Sequence, residues 1–248
     1  MSDASYRDAI FSTPLDKVAR FSFDEQVVAC FPDMIRRSVP GYGQILGMLS
    51  LIAKRHLRHG AHVYDLGCSL GAATLALRKG CEKHQGNHII AVDNSQPMID
   101  RAQLHLNGFK SKISVEFNCQ DVQQTPIDNA SIVVLNFTLQ FVPKEDRNAL
   151  IDKIYSGLNP GGVLLIAEKV AHPDAHIHDT LVDLHHDFKR ANGYSELEIS
   201  QKRAAIENVM KIDTLDTHFA RFKQAGFAHA GVWLQCFNFA AMLAVKGE

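Results

Sequence analysis

The sequence predicts an α/β domain built on a doubly wound, mostly parallel sheet of seven strands, with N-terminal helices and a helical insertion ahead of a closing β-hairpin. Three observations carry this. Short β-like apolar runs alternate with longer helical stretches through the middle of the chain, the pattern of a parallel sheet covered on both faces. The first run passes through a glycine bend into a helix, in "VYDLGCSLGAATLAL", Val63 to Leu77. The last two runs, in "AGVWLQCFNFAAMLAVK", leave no room for a helix between them and read as an antiparallel hairpin at the sheet's far side.

Strands are expected at His62 to Leu66, His88 to Asp93, Ile113 to Cys119, Ser131 to Phe137 and Val163 to Val170. Every link except the third-to-fourth has a helical pattern. "DNSQPMIDRAQLHL" offers Ser95 as a helix cap and Pro97 in the first turn, and "LNPGG" after the helical stretch Ile151 to Leu158 is a stop-and-turn signal. Outside this core lie a helical pair over 24–57, broken at "SVPGYG", and a polar, His- and Lys-rich helical insertion over 174–225. With the residues ahead of it, the first addition makes a cap over 1–57. No repeat or linker divides 1–248, so one domain is expected.

Composition excludes several classes. The 248 residues carry 26 Lys plus Arg against 27 Asp plus Glu, a net charge of −1, so no overall basic field gathers nucleic acid or anionic lipid. A local basic patch remains open. The five cysteines are odd in number and scattered without a C-x-x-C pair, which fits a reducing compartment. "MSDASYRDAIF" lacks the features of a signal peptide and no apolar run approaches the ~20 residues that cross a bilayer, so a cytoplasmic protein is expected.

In open α/β sheets, ligands bind at the carboxyl ends of the strands, near the switch in strand order. The glycine bend sits at such an end. Gly67 supplies backbone geometry that a Cβ would forbid, and Gly71 lets the following helix or a ligand come close. Free N–H groups at the start of that helix suit an anion or carboxylate. The glycines of "DLGCSLG" lie four apart and do not form G-x-G-x-x-G, which argues against a pyrophosphate and for an amino-acid-bearing nucleoside. Asp93 ends the second strand in "IIAVDNS", 26 residues after Gly67, where a carboxylate can accept both ribose hydroxyls. In "NCQDV", Asp121 suits an adenine amino group, with the Val122 N–H beside it. Plainer readings stand next to these: a connecting turn for the bend, a helix cap for Asp93, and for Cys68 a small buried filler whose backbone matters more than its thiol.

The stretches "FPDMIRRSVPGYGQIL", "VYDLGCSLGAATL", "AVDNSQPMI", "VVLNFTLQF", "DKIYSGLNPGG", "HHDFKRANGYSELEISQKR" and "QCFNF" carry a resemblance that runs through nearly the whole chain. The sequence resembles the S-adenosylmethionine-dependent methyltransferase superfamily, with its class I Rossmann-like fold, and more closely the carboxy-S-adenosyl-L-methionine synthase family. The glycine motif points only to the superfamily; "KRANGYSELEISQKR" points to the narrower family. The resemblance implies S-adenosyl-L-methionine as substrate, carboxy-S-adenosyl-L-methionine as product, and no metal. Its reaction consumes prephenate, releases phenylpyruvate and leaves a carboxyl group on the sulfonium methyl, for a later step in tRNA wobble-uridine (5-oxyacetyluridine) modification. Motif by motif, it implies binding by Tyr42, Gly67, Cys68, Ser69, Asp93, Asn94, Asp121, Val122, Asn136 and Arg203. It also implies a homodimer, for which the 174–225 insertion is the candidate contact, and no direct partner among nucleic acids or membranes.

Arg203, in "SQKR", separates this chemistry from methyl transfer. A methyltransferase needs an acceptor lone pair in line with the sulfonium methyl and usually a base. A guanidinium there is a like charge beside the sulfonium, disfavoured unless an anion lies between them. A carboxylated methyl supplies that anion, and an Arg fork grips it through two parallel hydrogen bonds. The expected sequence is loss of carbon dioxide from prephenate in a closed pocket, removal of a methyl proton to give an ylide, and capture of the trapped carbon dioxide. Asn136 ends the fourth strand in "LNF" where some amino-methyltransferases carry N-P-P-Y, so its amide suits the methionine amino group, with a plain strand-end turn as the competing reading. Tyr42 in "PGY" is expected to close over the sulfonium, with a turn or core residue as the competing reading. His172, His176, His178, His185 and His186 read as a solvated helix face rather than a metal site, because H-E-x-x-H and Cys partners are missing. Two rivals stay open: an ordinary methyltransferase acting on a small molecule or RNA, and a nucleoside-binding protein without turnover.

Overall fold

In a computed structural model, which describes residues 7–15, 21–82, 86–206 and 209–248, the expected alternation becomes one sheet with apolar side chains on both faces. Five strands run parallel: β1 (His62–Leu66), β2 (His88–Asp93), β3 (Ser114–Cys119), β4 (Ala130–Asn136) and β5 (Leu158–Ala171). A two-residue strand, β6 (Asp213–Thr214), pairs with the end of β5. The hairpin β7 (His229–Cys236) and β8 (Phe239–Val245) closes the far side, with β8 antiparallel to β5. Strand order is β3-β2-β1-β4-β5-β8-β7, so the order switches between β1 and β4.

Helices cover both faces. On one side, α2 (Tyr42–His56) and α3 (Ala72–Cys81) bury Ile45, Leu49 and Leu77 against Val63, Ile132 and Val134. On the other, α5 (Lys144–Gly157) and α8 (Leu215–Ala225) bury Leu150, Ile154 and Phe222 against Tyr64, Val133 and Leu135. Neighbours in β4 thus point to opposite cores, as a period of two requires, and each such side chain contributes about 1.5–3 kcal/mol. Local capping fixes the remaining helices. Asp24 accepts from the N–H groups of Gln26 and Val27 to start α1 (Glu25–Ser38), and Ser95 accepts from Met98 N to start α4 (Gln96–Asn107), with Pro97 in its first turn.

Two features differ from expectation. "LNPGG" does not interrupt the sheet: β5 already begins at Leu158, and its pairing with β4 jumps from Ala130↔Leu158 to Ile132↔Val163 across a bulge holding Gly161 at φ 73. The segment 174–225 is also not one insertion. Helices α6 (Ala175–Ala191) and α7 (Glu196–Ile206) lie outside the central layers, whereas α8 packs Leu215, Phe219 and Phe222 into the core. Its buried His218 and Arg221 made that stretch read as polar. The third-to-fourth link has, as expected, only a short 3₁₀ turn at Val122–Gln124. Positions 1–6 and 16–20 of the expected cap, and 207–208 of the expected insertion, lie outside the described residues. Among the described residues, no helix is long and apolar enough to cross a membrane.

Candidate active site

At the switch in strand order, the ends of β1 and β2 are laced together by backbone. The N–H groups of Gly67 and Cys68 both donate to Val92 O, at 2.7 and 2.9 Å. Gly67 sits at φ 84 and a Cβ there would run into Thr138, so the close approach and the conformation both demand glycine. Ser69 follows with a positive φ of 50, and its N–H donates to Asp93 Oδ2 at 2.9 Å. Ser95 N donates to Asp93 Oδ1 at 3.0 Å. Burial pushes the Asp93 carboxyl up while these backbone donors pull it down. Each oxygen keeps a lone-pair direction for a hydroxyl donor. Asn94 Nδ2 donates to Asp121 Oδ1 at 2.9 Å, joining the exposed rims of β2 and β3.

Asn136, at the end of β4, carries the clearest sign of a missing partner. Its Oδ1 is buried and has no hydrogen-bond donor. An ammonium or N–H group from a ligand would satisfy it. The chain then turns through Phe137 at φ 62, whose N–H donates to Ala167 O at 2.7 Å. Two non-glycine residues at positive φ, Ser69 and Phe137, therefore flank the strand switch, and such strain gathers at binding sites.

One cavity of about 650 Å³ gathers Gly67, Ser69, Asp93, Asn94, Asp121, Val122, Asn136 and Arg203. Tyr42 and Cys68 stand outside its lining. Tyr42 packs its ring at a tilt against Phe137, centroids 6.2 Å apart, and the Phe137 ring is the one that faces the cavity. Burial, with a smaller push from Asp65, raises the Tyr42 phenol. Cys68 is buried with Ala91 and Ile99, and burial pushes its thiol well above the ordinary range. Its backbone serves the bend.

The cavity has a character that the motifs did not announce. Its lining includes the acids Asp93 and Asp121 at the strand ends, and it also includes Lys169, Lys189, Lys202 and Arg203, which lie close enough to act on one another's charge. Phe23 and Phe141, edge to face at 5.5 Å, add an apolar side. Arg203 lies in the last turn of α7, an exposed residue that nonetheless lines the cavity. The lysines come from the same "HHDFKRANGYSELEISQKR" that carries Arg203, yet Lys on a helix normally reads as solvated surface. His178, His185 and His186 of the polar run line the cavity as well. His185 is buried, its Nε2–H donating to Ser38 O at 2.8 Å, and burial drives it down to about 2. Among the described residues, no three His, Cys, Asp or Glu side chains are placed to hold a metal ion.

A family model described as a methyltransferase domain matches residues 63–162. Among solved structures, an O-methyltransferase family protein from Burkholderia thailandensis superposes with a TM-score of 0.63 at 16% identity, covering 91% of this chain and 61% of that one. Human N-acetylserotonin methyltransferase in complex with SAM superposes with a TM-score of 0.55 at 18% identity, covering 90% and 55%. These likenesses show the fold. The sequence comparisons reach further. The carboxy-S-adenosyl-L-methionine synthase of Chromohalobacter salexigens is 58% identical, over 99% of this chain and 91% of that protein. The protein of the same name from Idiomarina loihiensis is 65% identical, over 96% of this chain and 98% of its own length. The chain therefore belongs to the carboxy-S-adenosyl-L-methionine synthase family, within the S-adenosylmethionine-dependent methyltransferase superfamily.

Proposed function

We propose that this protein converts S-adenosylmethionine and prephenate to carboxy-S-adenosyl-L-methionine and phenylpyruvate, supplying the carboxylated product to tRNA wobble-uridine modification. The observation that carries the reading is a cavity with both halves of the needed chemistry: nucleoside-type acceptors at one end and a cationic wall, including Arg203, in the same enclosure. Asp93 receives the ribose hydroxyls, Asp121 and the Val122 N–H the adenine, and the unpartnered Asn136 Oδ1 the methionine ammonium. In balance, the carboxylate of the prephenate ring leaves as carbon dioxide and its ring hydroxyl leaves as the ring becomes aromatic. The methyl proton joins that hydroxide as water, and carbon dioxide bonds to the methyl carbon. Arg203 then faces a carboxylate where an ordinary methyltransferase would hold its acceptor.

Arg203→Ala is expected to keep S-adenosylmethionine binding and to lose carboxylated product, and Arg203→Lys to suffer as well because the planar fork is gone. Incubation with S-adenosylmethionine, with and without prephenate, followed by mass spectrometry of the small molecules decides the matter. Full product from the Ala variant would remove Arg203 from this role. Methyl transfer to an added acceptor, with no carboxylated product, would favour an ordinary methyltransferase instead. The same reading includes a homodimer in the cytoplasm. Exposed Ile177 and Leu184, two turns apart on α6, support the insertion as the contact.

A further inference from the structure

The cationic wall is not evenly compensated. Lys202 donates to Asp8 Oδ2 at 3.2 Å and to Ser38 Oγ at 3.0 Å, so its charge is met inside the protein. Asp8 is already committed to other donors, since the same Oδ2 also accepts from the Tyr194 hydroxyl at 2.5 Å, and it gives Lys189 only a longer-range attraction that ranks below the repulsion from Lys202, Lys169 and Arg203. Lys189, on α6, is only 9% exposed and lines the cavity, yet among the described residues its ammonium has neither a hydrogen-bond nor an ion-pair partner. A largely desolvated ammonium that opens onto the cavity without a protein partner is costly, and an anion from outside is the ordinary remedy. The groups facing it are Lys202 and Arg203 from α7, Lys169 from β5 and Asp8 from the N-terminal segment, with His185 and His186 on its own helix. All but Asp8 are cationic or held neutral.

We propose that Lys189 holds a carboxylate of the second substrate, at a position distinct from Arg203, and so selects a co-substrate that carries a carboxylate it keeps through the reaction. This rests on the carboxylation reading above. Prephenate has two carboxylates with opposite fates: one departs as neutral carbon dioxide, the other stays on phenylpyruvate. A cation gripping the departing group would stabilise the ground state more than the transition state and slow the reaction, whereas a grip on the retained group anchors the molecule without that penalty. Arg203 then serves the carboxylate that appears on the methyl, and Lys189 the one that never changes.

A second consequence gives an independent readout. Burial first, then Lys202, Lys169 and Arg203, push the Lys189 amine down to about 7, so near neutral pH the free protein holds it only partly protonated. A bound carboxylate favours the charged form and raises it again. Binding is accordingly accompanied by proton uptake near pH 7 and weakens as pH rises above that value.

Phenylpyruvate, titrated calorimetrically into protein saturated with S-adenosylmethionine, is the direct probe. Wild type is expected to bind it with an enthalpy that varies with the ionisation enthalpy of the buffer. Lys189→Met is expected to lose roughly 10- to 100-fold in affinity for phenylpyruvate with S-adenosylmethionine affinity unchanged. Lys189→Arg is expected to restore binding without proton uptake, and melting curves of both variants check that they fold. Equal phenylpyruvate affinity in wild type and the Met variant, or no binding by wild type, overturns the proposal. Prephenate turnover by wild type is read separately. Carboxylated product with an unaffected Met variant sinks the role of Lys189 alone; Lys189-dependent phenylpyruvate binding without carboxylated product sinks the carboxylation reading alone.

Discussion

Asp65 shows how much a single side chain in the glycine-bend motif carries. It is fully buried, accepts from Thr74 Oγ1 at 2.5 Å through Oδ2, and leaves Oδ1 unpartnered. Burial, reinforced by Asp93, pushes its carboxyl up to about 6 from the ordinary 3.8. Because the folded value lies above the unfolded one, the folded state holds this proton more tightly, and stability falls as pH rises from about 4 to about 6. Above that window the ionised group costs roughly 3 kcal/mol. Asp65→Asn is therefore expected to raise the melting temperature by several degrees at pH 8 and by less at pH 5; the same shift at both values would mean that the charge is not the cause. At this scale the sequence was legible where a residue type is forced by backbone, as at Gly67, or sits at a strand end, as do Asp93 and Asn136. It was not legible for Lys189 and Lys202, because the counter-ion that distinguishes them, Asp8, is far away along the chain.

Among the described elements, the two-residue strand β6 gathers a largely buried cluster of charge. Asp213 of β6 accepts from Arg147 of α5 at 2.7 Å and from Arg221 of α8 at 3.0 Å, with Lys144 at 3.2 Å. These cations hold its carboxyl down at about 2 against the cost of burial. The folded value lies below the unfolded 3.8, so the contribution is present above about pH 4 and is lost as pH falls through about 2. Asp213→Ala would leave Arg147 and Arg221 buried without their carboxylate, and a loss of about 3–5 kcal/mol is expected in chemical denaturation. A loss under about 1 kcal/mol would show the pair to be no better than a surface contact. The same charges explain why α8 was hidden in the sequence. Hydrophobic periodicity discounts a helix that buries His218 and Arg221, although the apolar residues Leu215, Phe219 and Phe222 recur at helical spacing. The five parallel strands were legible to within a few residues apart from the start of β5, whereas the two-residue β6 fell inside the expected helical insertion and was not foreseen.

At the scale of the whole molecule, the doubly wound sheet was legible because alternation of period two and period 3.6 leaves few other topologies. The cavity was only half legible: its acidic strand-end lining, Asp93 and Asp121, is written into contiguous motifs, while its cationic wall is assembled from β5, α6 and α7. If α6 supplies a subunit contact, light scattering is expected to give a dimer at working concentration and Ile177→Glu with Leu184→Glu to shift it toward monomer. A wild-type monomer would end that part of the reading. The N-terminal segment adds a last consequence. Its Asp8 neutralises Lys202, receives the Tyr194 hydroxyl, and takes Arg37 on its carbonyl, while Gln201 grips the carbonyls of Phe11 and Thr13. A protease trimming the chain past Asp8 would thus act far from the strand switch and still strip Lys202 of its carboxylate, leaving it only the Ser38 hydroxyl and loosening α7, the helix that presents Arg203.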